Sequence, residues 1–130
     1  MMKIMKLSFD YDNTLSDNQA IQLLVRCLVE GAHDVWILTS RAGPPVVNKD
    51  LYAMMHALDI PTTNVIFVDN GSKLEAFKKH GFEAHFDDDH LVVDEINKAF
   101  PETCPAMLVG FDSAFMYHFV NKSLDQHNFK

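Results

Sequence analysis

With 130 residues, 48% of them hydrophobic and 22% charged, the chain holds the material of one globular domain. It has the composition of neither a disordered tail, a collagen-like fibre nor a coiled coil. Eleven Lys and Arg against eighteen Asp and Glu leave a formal charge of −7, so no basic footprint for a nucleic-acid backbone is visible, and any place where carboxylates converge calls for a cation. Two cysteines, Cys27 and Cys104, are too few for a disulfide scaffold and are expected as reduced, buried thiols.

Asp10 and Asp12 interrupt what would otherwise be the apolar core of a signal peptide at the start of the chain. The richest apolar stretch, Pro105 to Val120, is short for a membrane span and carries Gly110, Asp112 and His118. An aspartate near a bilayer centre costs roughly 2.5–3.5 kcal/mol. The expectation is a soluble, cytoplasmic protein in one domain over residues 1–130, with no membrane partner.

Short apolar runs alternate with helical patterns along the chain. Ile4 to Phe9 reads as a strand. Asp17 can cap a helix in which Ile21, Leu24, Val25, Leu28 and Val29 keep helical spacing, and Gly31 stands where a left-handed residue would end it. Val35 to Leu38 is a second strand. After Gly43-Pro44-Pro45, the residues Val47, Leu51, Met54, Met55 and Leu58 mark one face of a second helix. Val65 to Val68 is a third strand, and Ser72-Lys73-Leu74-Glu75 has the form of a capping box opening a helix that Gly81 closes. Phe82 to Phe86 is a fourth strand, followed by a helix through Val92, Ile96, Ala99 and Phe100 that Pro101 ends. Ala106 to Phe111 makes a fifth strand, and a last apolar helix is expected around Phe115 to Val120. This alternation predicts βαβ units, a mostly parallel sheet and helices on both faces, with ligands bound beyond the carboxyl ends of the strands.

What stands at those ends is chemically coherent. The first strand runs into Asp10-Tyr11-Asp12-Asn13-Thr14-Leu15, the second into Thr39-Ser40-Arg41, the third into Asp69-Asn70-Gly71-Ser72-Lys73 and the fourth into Asp87-Asp88-Asp89. Singly, each is as ordinary as a solvated loop, a turn or a surface charge. Together they bring carboxylates, a hydroxyl and an ammonium to one crevice. Two unit charges about 4 Å apart interact by roughly 4 kcal/mol at an effective dielectric near 20. Asp10, Asp12, Asp87 and Asp88 therefore need a cation if they converge. The donors are hard oxygens with no His or Cys pairing, which suits Mg²⁺ and not Zn²⁺.

In order and in residue type, these segments resemble the four motifs of the haloacid dehalogenase (HAD) superfamily of phosphotransferases. Asp10 to Leu15 is similar to the first motif, Thr39 to the second, Lys73 to the third and Asp87-Asp88 to the fourth. The resemblance spans the chain from the first strand to the fifth. It implies a three-layer domain with a five-stranded parallel sheet in the order 3-2-1-4-5, and an Mg²⁺-dependent phosphomonoester hydrolase. Asp10 would attack phosphorus to form an aspartyl phosphate, and Asp12 would serve as general acid and base; an aspartate at this second place is the phosphatase form of the motif. The metal would be held by Asp10, the backbone carbonyl of Asp12 and Asp88, with Asp87 as an outer acid orienting Lys73 or a metal-bound water. Thr39 and Lys73, with Ser40 and Arg41 beside them, would bind phosphoryl oxygens. Thr39-Ser40-Arg41 is similar to what nucleotidase-type and polynucleotide-end phosphatases of the family carry.

Too few residues stand between strand and helix at Tyr11 to Ser16 and at Asn70-Gly71 for a cap domain. An exposed site is expected, covered by a large substrate or by a second copy of the chain. Nucleotides, sugar phosphates, nucleic-acid ends and phosphoproteins are all compatible substrates. Two rivals stand against this reading. A non-catalytic module could keep the fold alone. A receiver domain would need its Thr and Lys after the fourth and fifth strands, whereas Thr39 and Lys73 fall earlier. Asp69 and Asn70 are read as turn residues, Asp89 as solvated and His90 as a surface residue at a helix start.

Overall fold

The computed structural model describes residues 3–110. Among these residues, five strands and four α-helices follow in chain order: β1 (Lys6–Phe9), α1 (Gln19–Glu30), β2 (Asp34–Thr39), α2 (Lys49–Ala57), β3 (Val65–Phe67), α3 (Lys73–His80), β4 (Ala84–Asp87), α4 (His90–Ala99) and β5 (Ala106–Leu108). The strands form one all-parallel sheet in the order β3-β2-β1-β4-β5, as expected. No separate domain follows β1 or β3 among the described residues.

Strand alternation builds the three layers. Successive side chains point to opposite faces, so Leu7 and Phe9 of β1, Val35 and Ile37 of β2 and Phe86 of β4 turn to one side. There they pack with Ile21, Leu24 and Val25 of α1 and with Leu51 and Met55 of α2. Leu38 and Ala106 turn to the other side and meet Phe77 of α3 and Val93 and Ile96 of α4. On that second face β1 and β4 present polar residues instead. Ser8 lies directly beside His85 in the strand register, and Asp10 and Asp87 stand two residues further along the same two chains. The apolar layer is thus interrupted at the carboxyl edge by buried polar groups.

Local chemistry sets several boundaries. Ser72 caps α3 by accepting from the Glu75 N–H, and Gly81 closes that helix at φ 69° in the left-handed region. Asp89 caps α4 through the Leu91 N–H. Asn18 caps α1 by accepting from the Ile21 N–H, one residue later than the expected Asp17. Gly31 does not take the left-handed conformation at the end of α1, because the reversal falls one residue on, at Ala32 (φ 64°). Val47 does not belong to the buried face of α2. Pro44 and Pro45 hold Pro45–Val47 in a separate 3₁₀ turn, and Val47 lies exposed. Asp69 and Asn70 form a left-handed turn, as their residue types suggest, and a Cβ on Gly71 would stand 2.7 Å from the Val68 carbonyl oxygen. Cys27 is half-buried and Cys104 exposed, so neither is the fully buried thiol expected. The fifth strand ends at Leu108, short of the expected Phe111, and the expected helix at Phe115 to Val120 lies outside the described residues. Among those residues no helix is long and apolar enough to cross a membrane.

Candidate active site

Asp10 follows β1 directly, and its backbone N–H continues the ladder by donating to the Phe86 carbonyl of β4 at 2.8 Å. The chain then makes a wide, π-type turn, Tyr11–Leu15, closed by the Ser16 N–H on the Tyr11 carbonyl (2.9 Å). Asn13 takes the left-handed conformation (φ 58°), which asparagine tolerates better than most residues. This turn buries Thr14 under the carboxyl edge. The Thr14 hydroxyl lies 3.3 Å from both Asp10 Oδ2 and Asp88 Oδ1 and shares its one proton between them.

Lys73, the first residue of α3, is nearly fully buried. Its ammonium donates to Asp10 Oδ1 at 2.8 Å and to Asp87 Oδ2 at 2.7 Å. Burial works against the charged ammonium, but the Asp10 and Asp87 carboxylates outweigh it and raise its pKa. Asp87 Oδ2 also meets His85 Nε2 at 2.8 Å, and Asp87 Oδ1 accepts from the Asp89 N–H at 3.0 Å. Behind them, His85 Nδ1 meets Ser8 Oγ at 2.7 Å. Burial pulls the His85 pKa down and favours the neutral ring.

The carboxylates of Asp10, Asp87 and Asp88 offer one oxygen each within 4.8 Å of one another. Asp87 spends Oδ2 on two donors and Oδ1 on a third, whereas Asp88 spends one oxygen on a shared threonine proton. Asp88 therefore has the more open acceptor surface. Three carboxylates and one ammonium leave a formal −2 (three negative charges against one positive) in a site of hard oxygens, which fits a divalent cation of the Mg²⁺ class. The strain of that excess charge falls on Asp10. Burial, and then the neighbouring Asp87, push its carboxyl up to about 8 against an ordinary 3.8. Asp87 goes the other way: burial would raise it, but the His85 hydrogen bond and the Lys73 ammonium hold it down near 2.

The expected convergence of four aspartates is corrected here. The Asp12 carboxylate lies outside the group of three and is gripped by Arg41, whose Nη2 and Nε stand 2.8 and 2.9 Å from its two oxygens. Arg41 also holds both oxygens of Asp50, at 2.8 and 2.9 Å, and lies over the Tyr11 ring at 4.8 Å. The hydrogen bonds that Arg41 donates to Asp50 and Asp12 raise its pKa, and Asp50 is held near 2 by Arg41. Much of the negative charge expected to need a metal is thus met by an ammonium at one node and a guanidinium at the other.

Thr39 ends β2 at the same edge, fully buried, with its Oγ1 accepting from the Arg41 N–H at 3.2 Å. Ser40 is exposed, and its carbonyl accepts from the Asn70 N–H. Asp89 and His90 are exposed at the start of α4, as expected. Sequence reasoning missed Ser8, Thr14, His85, Asp50 and Asn48, whose Oδ1 accepts from Arg41 Nη1 at 3.3 Å. The first and third carried a usable signal: Ser8 with Asp10 and His85 with Asp87 keep the two-residue period that puts all four on one sheet face.

Comparison with protein-family models, with curated proteins and with solved structures gave no match. The fold defines the chain as a three-layer α/β protein with a parallel 3-2-1-4-5 sheet.

Proposed function

We propose that the protein is a Mg²⁺-dependent phosphomonoester hydrolase with Asp10 as nucleophile and Asp12 as general acid and base. The observation that carries this reading is the buried Asp10 carboxylate at the end of β1, within reach of both the Lys73 ammonium and the Asp87–Asp88 pair. The motif resemblance to the HAD superfamily supports it. Asp10 and Asp88, with Asp87 beside them, are the carboxylates that would hold the ion. Bound there, it would offset the carboxylate charge and let an anionic phosphate approach Asp10.

In this reading an Asp10 oxygen forms a bond to phosphorus as the bond to the leaving oxygen breaks, and Asp12 hands that oxygen a proton. Water then attacks the aspartyl phosphate, gives its proton to Asp12, and phosphate leaves with Asp10 restored. Two of the three Lys73 N–H groups are engaged by Asp10 and Asp87, so one remains for a phosphoryl oxygen. Thr39 is the second such donor. Arg41 has to yield its grip before Asp12 can exchange a proton, and a substrate anion competing for the guanidinium releases it. Asp12, Asn13 and Ser40 leave the rim exposed, which suits a macromolecular phosphate end or coverage by a second copy of the chain.

The test is a phosphatase screen in millimolar Mg²⁺ that covers aryl phosphates, nucleotides, nucleic-acid ends and phosphopeptides. The expected result is turnover that EDTA abolishes, together with a melting transition that Mg²⁺ raises. Saturation at a hundredfold excess over the dissociation constant adds about 2.7 kcal/mol. Melting indifferent to Mg²⁺, with no hydrolysis of any class, would leave a non-catalytic module.

A further inference from the structure

His85 takes no part in the chemistry above, yet it is fully buried between two equally buried polar partners. A buried polar side chain persists where its partners satisfy it, and both His85 ring nitrogens have one. A polar side chain at such a place fixes the orientation of what it touches. What it touches is Asp87 Oδ2, the oxygen that also receives the Lys73 ammonium.

The hydrogen-bond directions follow from the groups. Asp87 already accepts from the Lys73 ammonium at Oδ2 and from the Asp89 N–H at Oδ1, so its carboxylate accepts from the ring too, and a proton belongs on Nε2. Nδ1 then accepts, and the Ser8 hydroxyl donates to it at 2.7 Å in preference to the Ala84 carbonyl at 3.4 Å. The donors converge on Asp87: Ser8 O–H donates to His85, His85 Nε2–H to Asp87, and Lys73 N–H to both Asp87 and Asp10. With Oδ1 tied to the Asp89 N–H, Asp87 has a single setting, and Lys73 has a fixed seat against it.

We propose that His85 is a positioning residue which, backed by Ser8, sets Asp87 so that Asp87 seats the Lys73 ammonium against Asp10. The consequence for turnover rests on the phosphatase reading; the seating itself does not. Leu at position 85 leaves Asp87 its bonds to Lys73 and Asp89, and leaves Ser8 the Ala84 carbonyl, so the variant has partners enough to fold. Gln can place its side-chain N–H near the His Nε2 position and restore donation to Asp87.

Two spectroscopic readouts on the full chain judge the proposal, and neither needs a substrate. Nitrogen-15 spectra of the wild type should show His85 protonated at Nε2 and bare at Nδ1. The Lys73 ammonium, identified by its loss in Lys73→Met, should give a slowly exchanging side-chain signal in the wild type. That signal should vanish in His85→Leu and return in His85→Gln. In turnover, His85→Leu should lower kcat by about tenfold or more with KM within about twofold, and His85→Gln should recover most of it. A ring with no proton on Nε2, or a Lys73 signal unchanged in folded His85→Leu, would overturn the seating. If the tautomer and the Lys73 signal behave as expected but the wild type hydrolyses nothing, the seating stands and the phosphatase reading falls.

Discussion

Lys73 and Arg41 each bridge two aspartates at nearly the same distances, 2.7–2.8 Å for the closest pairs, but in different surroundings. At the Lys73 node the side chains are 5% (Lys73), 8% (Asp10) and 0% (Asp87) exposed. At the Arg41 node they are 24% (Arg41), 50% (Asp12) and 57% (Asp50) exposed. Equal geometry therefore does not mean equal energy. The buried node holds its charges out of water and depends on complete pairing, whereas solvent screens the exposed one. The same division serves function: a nucleophile gains from a fixed, dry seat, and a proton-exchanging group needs a partner that lets go.

Breaking the buried node should have the largest effect. Lys73→Met leaves Asp10 and Asp87 buried without their cation, and removing one partner of a buried pair typically costs about 3–5 kcal/mol. Denaturant unfolding at neutral pH should register that loss. Part of it should return as the pH falls and the carboxylates take up protons.

The pH dependence of the unmutated node comes next. Asp10 binds its proton more tightly when folded, with a pKa of about 8 against 3.8. Its contribution to stability is full below 3.8 and is lost as pH rises toward 8, by an amount on the order of a few kcal/mol without metal. Asp87, held near 2, acts in the opposite sense and in another window: its contribution is present above 3.8 and is lost as pH falls through 2. Stability of the metal-free protein should therefore decline between pH 4 and 8. Asp10→Asn should flatten that decline, and saturating Mg²⁺ should flatten it in the wild type. A wild-type profile that rises across this window would refute the account of Asp10.

The exposed node should respond least. Asp50→Ala removes one of the two Arg41 partners and should change stability by no more than about 1 kcal/mol, with the difference shrinking in high salt. A loss as large as that of Lys73→Met would erase the contrast between the nodes.

Much of this was legible in the chain because parallel α/β folds put strand ends at one edge. The alternation of Val35–Leu38, Val65–Val68 and the helices between them predicted the sheet, and with it the meeting of Asp10, Lys73, Asp87 and Asp88. The pairing of Asp12 with Arg41 was not legible, since it joins residues 29 positions apart through the turn at Asn13, and no local pattern encodes that reach. His85 and Ser8 were overlooked because a polar residue inside a short strand reads as an ordinary interruption of the apolar run. Their shared face with Asp10 and Asp87 emerges only when two adjacent strands are aligned. The expected place of Val47 on α2 failed because its spacing fits a helix that Pro44 and Pro45 delay.

The central claim is that Asp10 is the nucleophile and Asp12 the proton carrier, and rapid-quench kinetics with an aryl phosphate tests it most directly. A good leaving group bypasses the first task of Asp12 but not the second, because water still needs a base. Asp12→Asn should therefore release a burst of one phenolate per site, with phosphate trapped on Asp10, followed by slow turnover. Asp10→Asn should show no burst and no phospho-enzyme, since its amide cannot form the acyl phosphate. Equal loss in both variants, with no phospho-enzyme in Asp12→Asn, would contradict the roles given to these two carboxylates.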